Sequence, residues 1–387
     1  MLEALAKLPQ GVLLGLVTWN LGTSLWAWPA PAPAPVGPRR RRFRIIVPAH
    51  DEAHVVSTVL ADIAALDYPP ELVDVWVVAD RCADDTALVA SNSGARVDER
   101  SDGGEGKGAA LAWHLERHPA GADTAVVVVD ADNRLPVDML ARFADELDAG
   151  GHALQGYLDV TNPDESLMAT ASALTYWAGN RMVQQARRRL DWSADLGGTG
   201  MCLTEHALDA AGGFSGGLTE DADLGVRLAL AGVPVTWIHD VRIRDEKPAG
   251  VGVTLRQRAR WMAGKRAVAR ERVGPLVRQA VADRDPGLFD VALRLVQPGR
   301  SFVALASAAL AAVAATTGSR WLFAPRVWAS AAAVQLLAPV VFLARDGTPP
   351  RYLVKYPLVT IVAALWVPVR VASRGVENWY HTPHHGG

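Results

Sequence analysis

Three hydrophobic patterns follow one another along the 387-residue chain. The first is residues 11–28 (GVLLGLVTWNLGTSLWAW), which carry no charge and end in two nearby tryptophans. A helix of about 18 residues rises about 27 Å, enough to cross a hydrocarbon core of roughly 30 Å with the tryptophans at its interface. A signal peptide is the competing reading, but it needs a basic start and a small-residue cleavage site, and here Glu3 stands near Lys7. An uncleaved membrane helix is therefore expected. PAPAPVGP (31–38) reads as a stiff extended spacer, and RRRRFR (39–44) follows it. By the positive-inside rule these arginines place the next domain in the cytoplasm.

In the second pattern, short apolar runs alternate with helical periodicity, which argues for an α/β sheet domain. Strands are predicted at RIIVPA (44–49), DVWVVAD (74–80), AVVVVDA (125–131) and VPVTWI (233–238). Helices are predicted at 53–65, 107–117, 136–148 and 221–231. The third pattern begins near residue 299 with the long apolar runs 301–318, 327–344 and 356–369, joined by short basic loops. Two or three membrane helices are expected there. The last run is short and proline-flanked, so three crossings and two crossings plus an interfacial segment both stay open. The expected division is an N-terminal membrane helix and linker (1–38), an α/β domain (39–275), interfacial and transmembrane helices (276–375) and a tail (376–387).

Composition fits this division. Half the residues are hydrophobic, and the mean hydropathy of +0.10 is too high for an ordinary soluble enzyme. A net charge of −2 gives no global field for nucleic acid. Two cysteines, Cys82 and Cys202, build neither a disulfide framework nor a zinc site of usual spacing, which favours a reduced compartment.

Three segments carry chemistry. VVVVDADN (126–133) reads as a buried parallel strand ending in Asp130 and Asp132, which share one side if strand geometry persists. Ligands gather at the carboxyl ends of such strands, where two carboxylates suit Mg2+ or Mn2+. Capping of the next turn explains the same residues. In GGLTEDADLGVRL (216–228), Thr219 is a natural N-cap and Glu220, Asp221 and Asp223 occupy the first turn. A carboxylate held there also serves as a general base. LRQRARWMAGKR (255–266) places Gln257, Arg260 and Trp261 on one helical face. That face suits anionic lipid, or a phosphate with an aromatic stacked under a sugar. RRR at 187–189 reads as a solvated helix face.

The order IIVPAHDE, VVADRCADDT, GEGKGAAL, VVDADN, GTGMCL, LTEDADLGVRL, QRARW resembles the family 2 glycosyltransferases, over about residues 43–270. Within them it is most similar to the membrane-embedded group that includes cellulose, chitin and hyaluronan synthases and ceramide glucosyltransferase. The resemblance implies a GT-A fold, a Rossmann-like nucleotide-diphospho-sugar transferase domain, flanked by transmembrane helices. It implies that Pro48, His50 and Glu52 hold the nucleoside, that Asp80 reads the uracil edge and that Lys107 lies near the diphosphate. A P-loop is the poorer reading of GEGKG, because Gly108 stands where a Ser or Thr should follow the lysine. The resemblance makes Asp130 and Asp132 the site of Mg2+ or Mn2+, puts Gly200 near the acceptor, and makes Asp221 the base with Glu220 supporting it. Gln257, Arg260 and Trp261 would close over the diphosphate and the acceptor sugar. The tail RGVENWYHTPHHGG resembles the W-x-x-T-x-[HKR] ending of membrane-bound relatives at Trp379, Thr382 and His384, which favours a cytoplasmic C-terminus.

The implied reaction is a single inverting displacement from a UDP-sugar onto a hydroxyl of a lipid-linked or glycan acceptor, giving a β-glycoside at the cytoplasmic membrane. The alternative is a processive synthase extruding a β-linked polymer, whose channel so few helices could line only as a homo-oligomer. An inactive nucleotide-binding subunit of an export complex would be expected to have lost one of these motifs. Membrane lipids are expected partners, and nucleic acid is not.

Overall fold

The computed structural model describes residues 2–29, 32, 35–248 and 250–364. Its strands are β1 (Arg42–Ala49), β2 (Val73–Asp80), β3 (Arg96–Arg100), β4 (Thr124–Val128), β5 (Ala153–Val160), β6 (Met201–Leu203) and β7 (Val235–Asp245). They form one sheet in the order β3-β2-β1-β4-β6-β5-β7, parallel except for β6, which runs antiparallel to both neighbours. The helices up to the π-turn are α1 (Leu2–Leu25), α2 (Val56–Ala64), α3 (Thr86–Asn92), α4 (Lys107–Arg117), α5 (Met139–Asp148) and α6 (Leu167–Gly179). A π-helical turn (Asn180–Gln184) leads into α7 (Gln185–Arg189), followed by α8 (Glu205–Ala211), α9 (Glu220–Leu230), α10 (Val251–Asp283) and α11 (Pro286–Val296). The last are α12 (Arg300–Thr317), α13 (Pro325–Arg345), α14 (Pro350–Leu353) and α15 (Tyr356–Ala364).

The valine run works as a two-faced strand. Val127 and Val129 enter the core under α2 and α5, while Val126 and Val128 enter the core under α4, α8 and α9. All four are fully buried, and each such side chain stabilises the fold by about 1.5–3 kcal/mol. The predicted strand at 125–131 nevertheless stops at Val128. Asn133 Oδ1 and Thr199 Oγ1 each accept from the Asp130 amide at 3.0 Å, so the chain turns before the aspartates. Their shared direction comes from that turn and not from strand alternation. The predicted strand at 233–238 runs on to Asp245, and a register shift opposite Gly156/Tyr157 bends its pairing with β5.

Of the arginines at 187–189 only Arg189 is exposed, so the solvated face expected there is mostly engaged. Arg187 is buried and donates both Nε (3.0 Å) and Nη2 (2.7 Å) to Asp290 of α11, while Arg188 pairs with Glu146 at 2.8 Å. The RRRRFR run is also engaged. Arg39 holds Asp145 at 3.0 Å and Arg41 holds Asp148 at 2.7 Å, which docks the linker onto α5, while Arg44 of β1 holds Asp74 on the neighbouring β2 at 3.0 Å.

Helices α12 and α13 are long and apolar enough to cross a membrane. They pack with α1 around Val17, Val303, Trp328 and Ala331. Gln10 of α1 clamps the loop between them, donating to Trp321 O (2.8 Å) and accepting from Phe323 N (3.1 Å). The third apolar run is described only as far as α15. Its remainder and the tail, with Trp379, Thr382 and His384, lie outside the described residues.

Candidate active site

One cavity of about 850 Å³ opens at the carboxyl ends of β1, β2 and β4. Its lining includes Pro48, His50, Glu52, Asp80, Lys107, Asp130, Asp132, Glu220, Asp221, Gln257, Arg260 and Trp261, so residues spread over more than 200 positions converge. Gly200 is not among them. Its amide donates to Val128 O (2.8 Å) and its carbonyl accepts from Gly156 N (2.9 Å), which places it within the sheet. The neighbouring Gly197, Gly198 and Thr199 line the cavity instead.

At the mouth of β1 and β2 the backbone is strained. Asp51 and Arg81 are non-glycine residues with φ of 56° and 54°. Asp51 is held there by accepting from the Ala83 amide at 2.6 Å. His50 Nδ1 lies 2.6 Å from Asp80 O, and the Asp80 carboxylate accepts from the buried Arg100 at 2.7 Å. Arg100 escaped the sequence reading because β3, RVDER, is too charged to signal a strand.

Lys107 begins α4, and its ammonium contacts Asp130 Oδ1 and Gly198 O, the latter at 2.7 Å. Burial pulls its pKa down, but Asp130 and Glu220 more than offset this, so it stays charged. A Cβ on Gly108 would lie 2.0 Å from Ser215 O and 2.7 Å from Glu220 Cβ. No serine or threonine fits there, and this close approach presses the start of α4 against the start of α9.

The acids of α9 divide by direction. Asp223 is structural, bonded to Ser215 and Arg227 at 2.8 Å each and to Arg272 at 3.2 Å. Glu220 and Asp221 face the cavity beside Gly198. Burial and the neighbouring Asp221 push Glu220 up to about 7, against the pull of Lys107. Burial likewise raises Asp221, although its Oδ1 accepts from the Ala222 amide at 2.8 Å and Lys265 lies near. Thr219 stands at the N-cap, but its hydroxyl makes no capping bond. It is packed on α10 instead, where a Cβ on Gly264 would approach Thr219 Oγ1 to 2.5 Å. Gly264→Ala is therefore expected to push α10, with Gln257, Arg260 and Trp261, off α9. Overpacking of about 1–3 kcal/mol should lower the melting temperature by several degrees and raise donor KM, as scanning calorimetry and initial rates would show.

Sequence reasoning missed Asp195, Asp245, Lys247, Lys265 and Arg294, which also line the cavity. Lys247 pairs with Asp245 at 2.5 Å and sits 4.1 Å over the Tyr176 ring. Only the position of Asp245, ending a strand beside the charged EKP, could have flagged it. Asp195 and Arg294 come from loop and helix segments with no motif around them.

Residues 38–264, more than half of the chain, match the family model for glycosyltransferase like family 2. The chain belongs to glycosyltransferase family 2. Its fold is that of the mannosyltransferase PcManGT from Pyrobaculum calidifontis, solved in complex with GDP-Man and Mn2+, at a TM-score of 0.58 and 24% identity over 95% of this chain and 99% of that one. This glycosyltransferase is 27% identical over 233 residues to a beta-monoglucosyldiacylglycerol synthase of Synechocystis sp., covering 57% of this chain and 47% of that protein. It is 26% identical over 237 residues to a probable glucomannan 4-beta-mannosyltransferase of Arabidopsis thaliana, covering 57% and 42%. The chain thus spans about half the length of the curated relatives it matches.

Proposed function

We propose that this glycosyltransferase moves one sugar from a nucleoside-diphosphate donor, a UDP-sugar, to a hydroxyl of a membrane-associated acceptor with inversion at the anomeric carbon. One observation carries the reading: a single cavity holds Asp130, Asp132 and Lys107 together with the adjacent carboxyl groups of Glu220 and Asp221. The first group suits the donor's diphosphate and the second an incoming hydroxyl. Asp221 takes the acceptor proton as the new C–O bond forms and the bond to the diphosphate breaks. Lys107 and Arg260 balance the charge that leaves on the diphosphate. Asp130 and Asp132 offer the hard oxygen donors that Mg2+ or Mn2+ takes, and such an ion, when bound, neutralises the departing diphosphate. His50, Glu52 and Pro48 flank the nucleoside, with Asp80 turned to its base.

Single transfer is preferred to polymer extrusion because only α12 and α13, among the described residues, have the length and hydropathy of membrane spans. We place the enzyme in the cytoplasmic membrane with its α/β domain on the cytoplasmic face. The name of the Synechocystis relative, a diacylglycerol glycosylating enzyme, supports a lipid acceptor. The test incubates detergent-purified protein and Mn2+ with UDP-glucose, UDP-galactose, UDP-N-acetylglucosamine or GDP-mannose, with and without extracted lipids. Lipid-dependent UDP release with one product of defined size is expected. A ladder of long products would overturn the single-transfer reading, and GDP release alone would overturn the uridine one.

A further inference from the structure

We infer that Asp195 is the acceptor-binding carboxylate, receiving a hydrogen bond from the hydroxyl of a neutral alcohol whose apolar body lies along the π-turn and α11. This rests on the transferase reading of the same cavity and adds the residue and the acceptor class to it. The cavity wall extends well away from the strand ends, to Val183, Gln184, Asp195, Val226, Val291 and Leu295. Four of these six are aliphatic, which suits the hydrocarbon part of an amphiphile and not a diphosphate.

Asp195 is built into this wall by Gln184 and Arg294. Gln184, on the π-turn, donates to Asp195 O at 2.9 Å and accepts from its amide at 3.0 Å, which fixes the backbone. π-turns of this kind recur where a functional group must be aimed. Arg294 grips Oδ1 and is itself tied to Asp290 at 2.8 Å and Ser193 O at 2.7 Å. Among the described residues Oδ2 has no hydrogen-bond partner, and half of the side chain is open to the cavity. Burial would raise its pKa, but Arg294, Lys265 and Arg187 hold it below the ordinary carboxylate value. It is therefore an acceptor-only group with one oxygen open to a donor. Three residues on, Gly198 stands beside Asp221, so a hydroxyl-bearing head group gripped at Asp195 lies near the base.

The same wall faces the apolar helices on its other side. Met182 of the π-turn packs with Ala27 and with Phe342 of α13. Trp19 of α1 donates to Asp290 at 2.9 Å and stacks on Trp192, with ring centroids 5.8 Å apart. An alcohol arriving from a lipid phase therefore meets Asp195 through elements shared with α1 and α13.

The test uses the full chain in nanodiscs with Mn2+, the donor it turns over, and 1,2-dioleoylglycerol as acceptor probe, with dioleoylphosphatidylglycerol as an anionic hydroxyl-bearing comparator. Asp195→Asn is expected to raise acceptor KM about tenfold to a hundredfold, the scale of one charged hydrogen bond, with a much smaller change in donor KM. An unchanged acceptor KM overturns the proposal. If the variant also loses donor hydrolysis through misfolding, wild-type selectivity decides: at least about tenfold preference for dioleoylglycerol supports Asp195, and equal or better use of the anionic lipid rejects it. Wild-type protein that releases nucleotide from no donor rejects the transferase reading itself, and this inference with it.

Discussion

Asp221→Asn is expected to lower kcat about 1,000-fold, within the range general-base catalysis supplies, while donor KM changes little. The asparagine keeps the side chain's shape and its bond from the Ala222 amide, so what it removes is a proton acceptor beside Gly198. A second measurement separates this from simple damage. Glu220 and Asp221 are both raised, chiefly by burial, with Asp221 adding to the shift of Glu220 and Asp195 to that of Asp221, so the folded protein binds their protons more tightly than the unfolded chain. For a raised carboxyl, the stability contributed by the proton is present below its unfolded value, the ordinary 4.5 of a glutamate for Glu220, and is lost as pH rises through about 7. Above that pH Glu220 of the empty wild-type enzyme is a buried carboxylate that the neighbouring Asp221 disfavours. Asp221→Asn should therefore be inactive yet melt at a higher temperature than wild type at pH 8. The acid limb of the wild-type kcat/KM profile should lie well above the ordinary carboxylate range, and Glu220→Gln should move it down. Near-wild-type turnover in Asp221→Asn would falsify the assignment of the base.

The α/β class and the sites of the motifs were legible because the evidence for them is local. The β-branched run at 126–129 allows a buried strand, and the α4 pattern predicts 107–117 to the residue. What stayed hidden depends on tertiary context. β3 is nearly all charge, and its Arg100 matters only because Asp80 lies opposite it. The arginines at 187–189 have the composition of a solvent face, and only Asp290, about a hundred residues away, turns Arg187 inward. Thr219 has the right identity and position for a cap, yet its neighbour Gly264 makes it a packing residue. Gly200 shows the reverse, since a motif position expected at the acceptor is consumed by sheet pairing. Asp195 had no signal at all, because a loop carboxylate gains meaning only from Gln184 and Arg294 around it.

Asp132→Ala, or chelation of the wild-type enzyme, is expected to weaken donor binding strongly and not merely slow the reaction. The reason is the charge at the strand ends. Asp130 and Asp132 bring two negative charges against the single positive charge of Lys107, which is already in contact with Asp130. A diphosphate entering there unassisted would meet net negative charge in a semi-enclosed space, where repulsion of several kcal/mol is expected. Arg260 lies on the same cavity and offsets only part of this. A divalent ion on the two carboxylates reverses the sign. Calorimetric titration with UDP should then show affinity falling at least about 100-fold when EDTA replaces Mn2+, the scale of about 2.7 kcal/mol. Asp132→Ala should bind UDP as weakly as the chelated enzyme and gain little from added Mn2+. Asp130→Asn should lose less, because it also releases Lys107 from its ion pair. UDP affinity that is indifferent to EDTA would transfer charge neutralisation from Asp130 and Asp132 to Lys107 and Arg260, and with it the need for a metal.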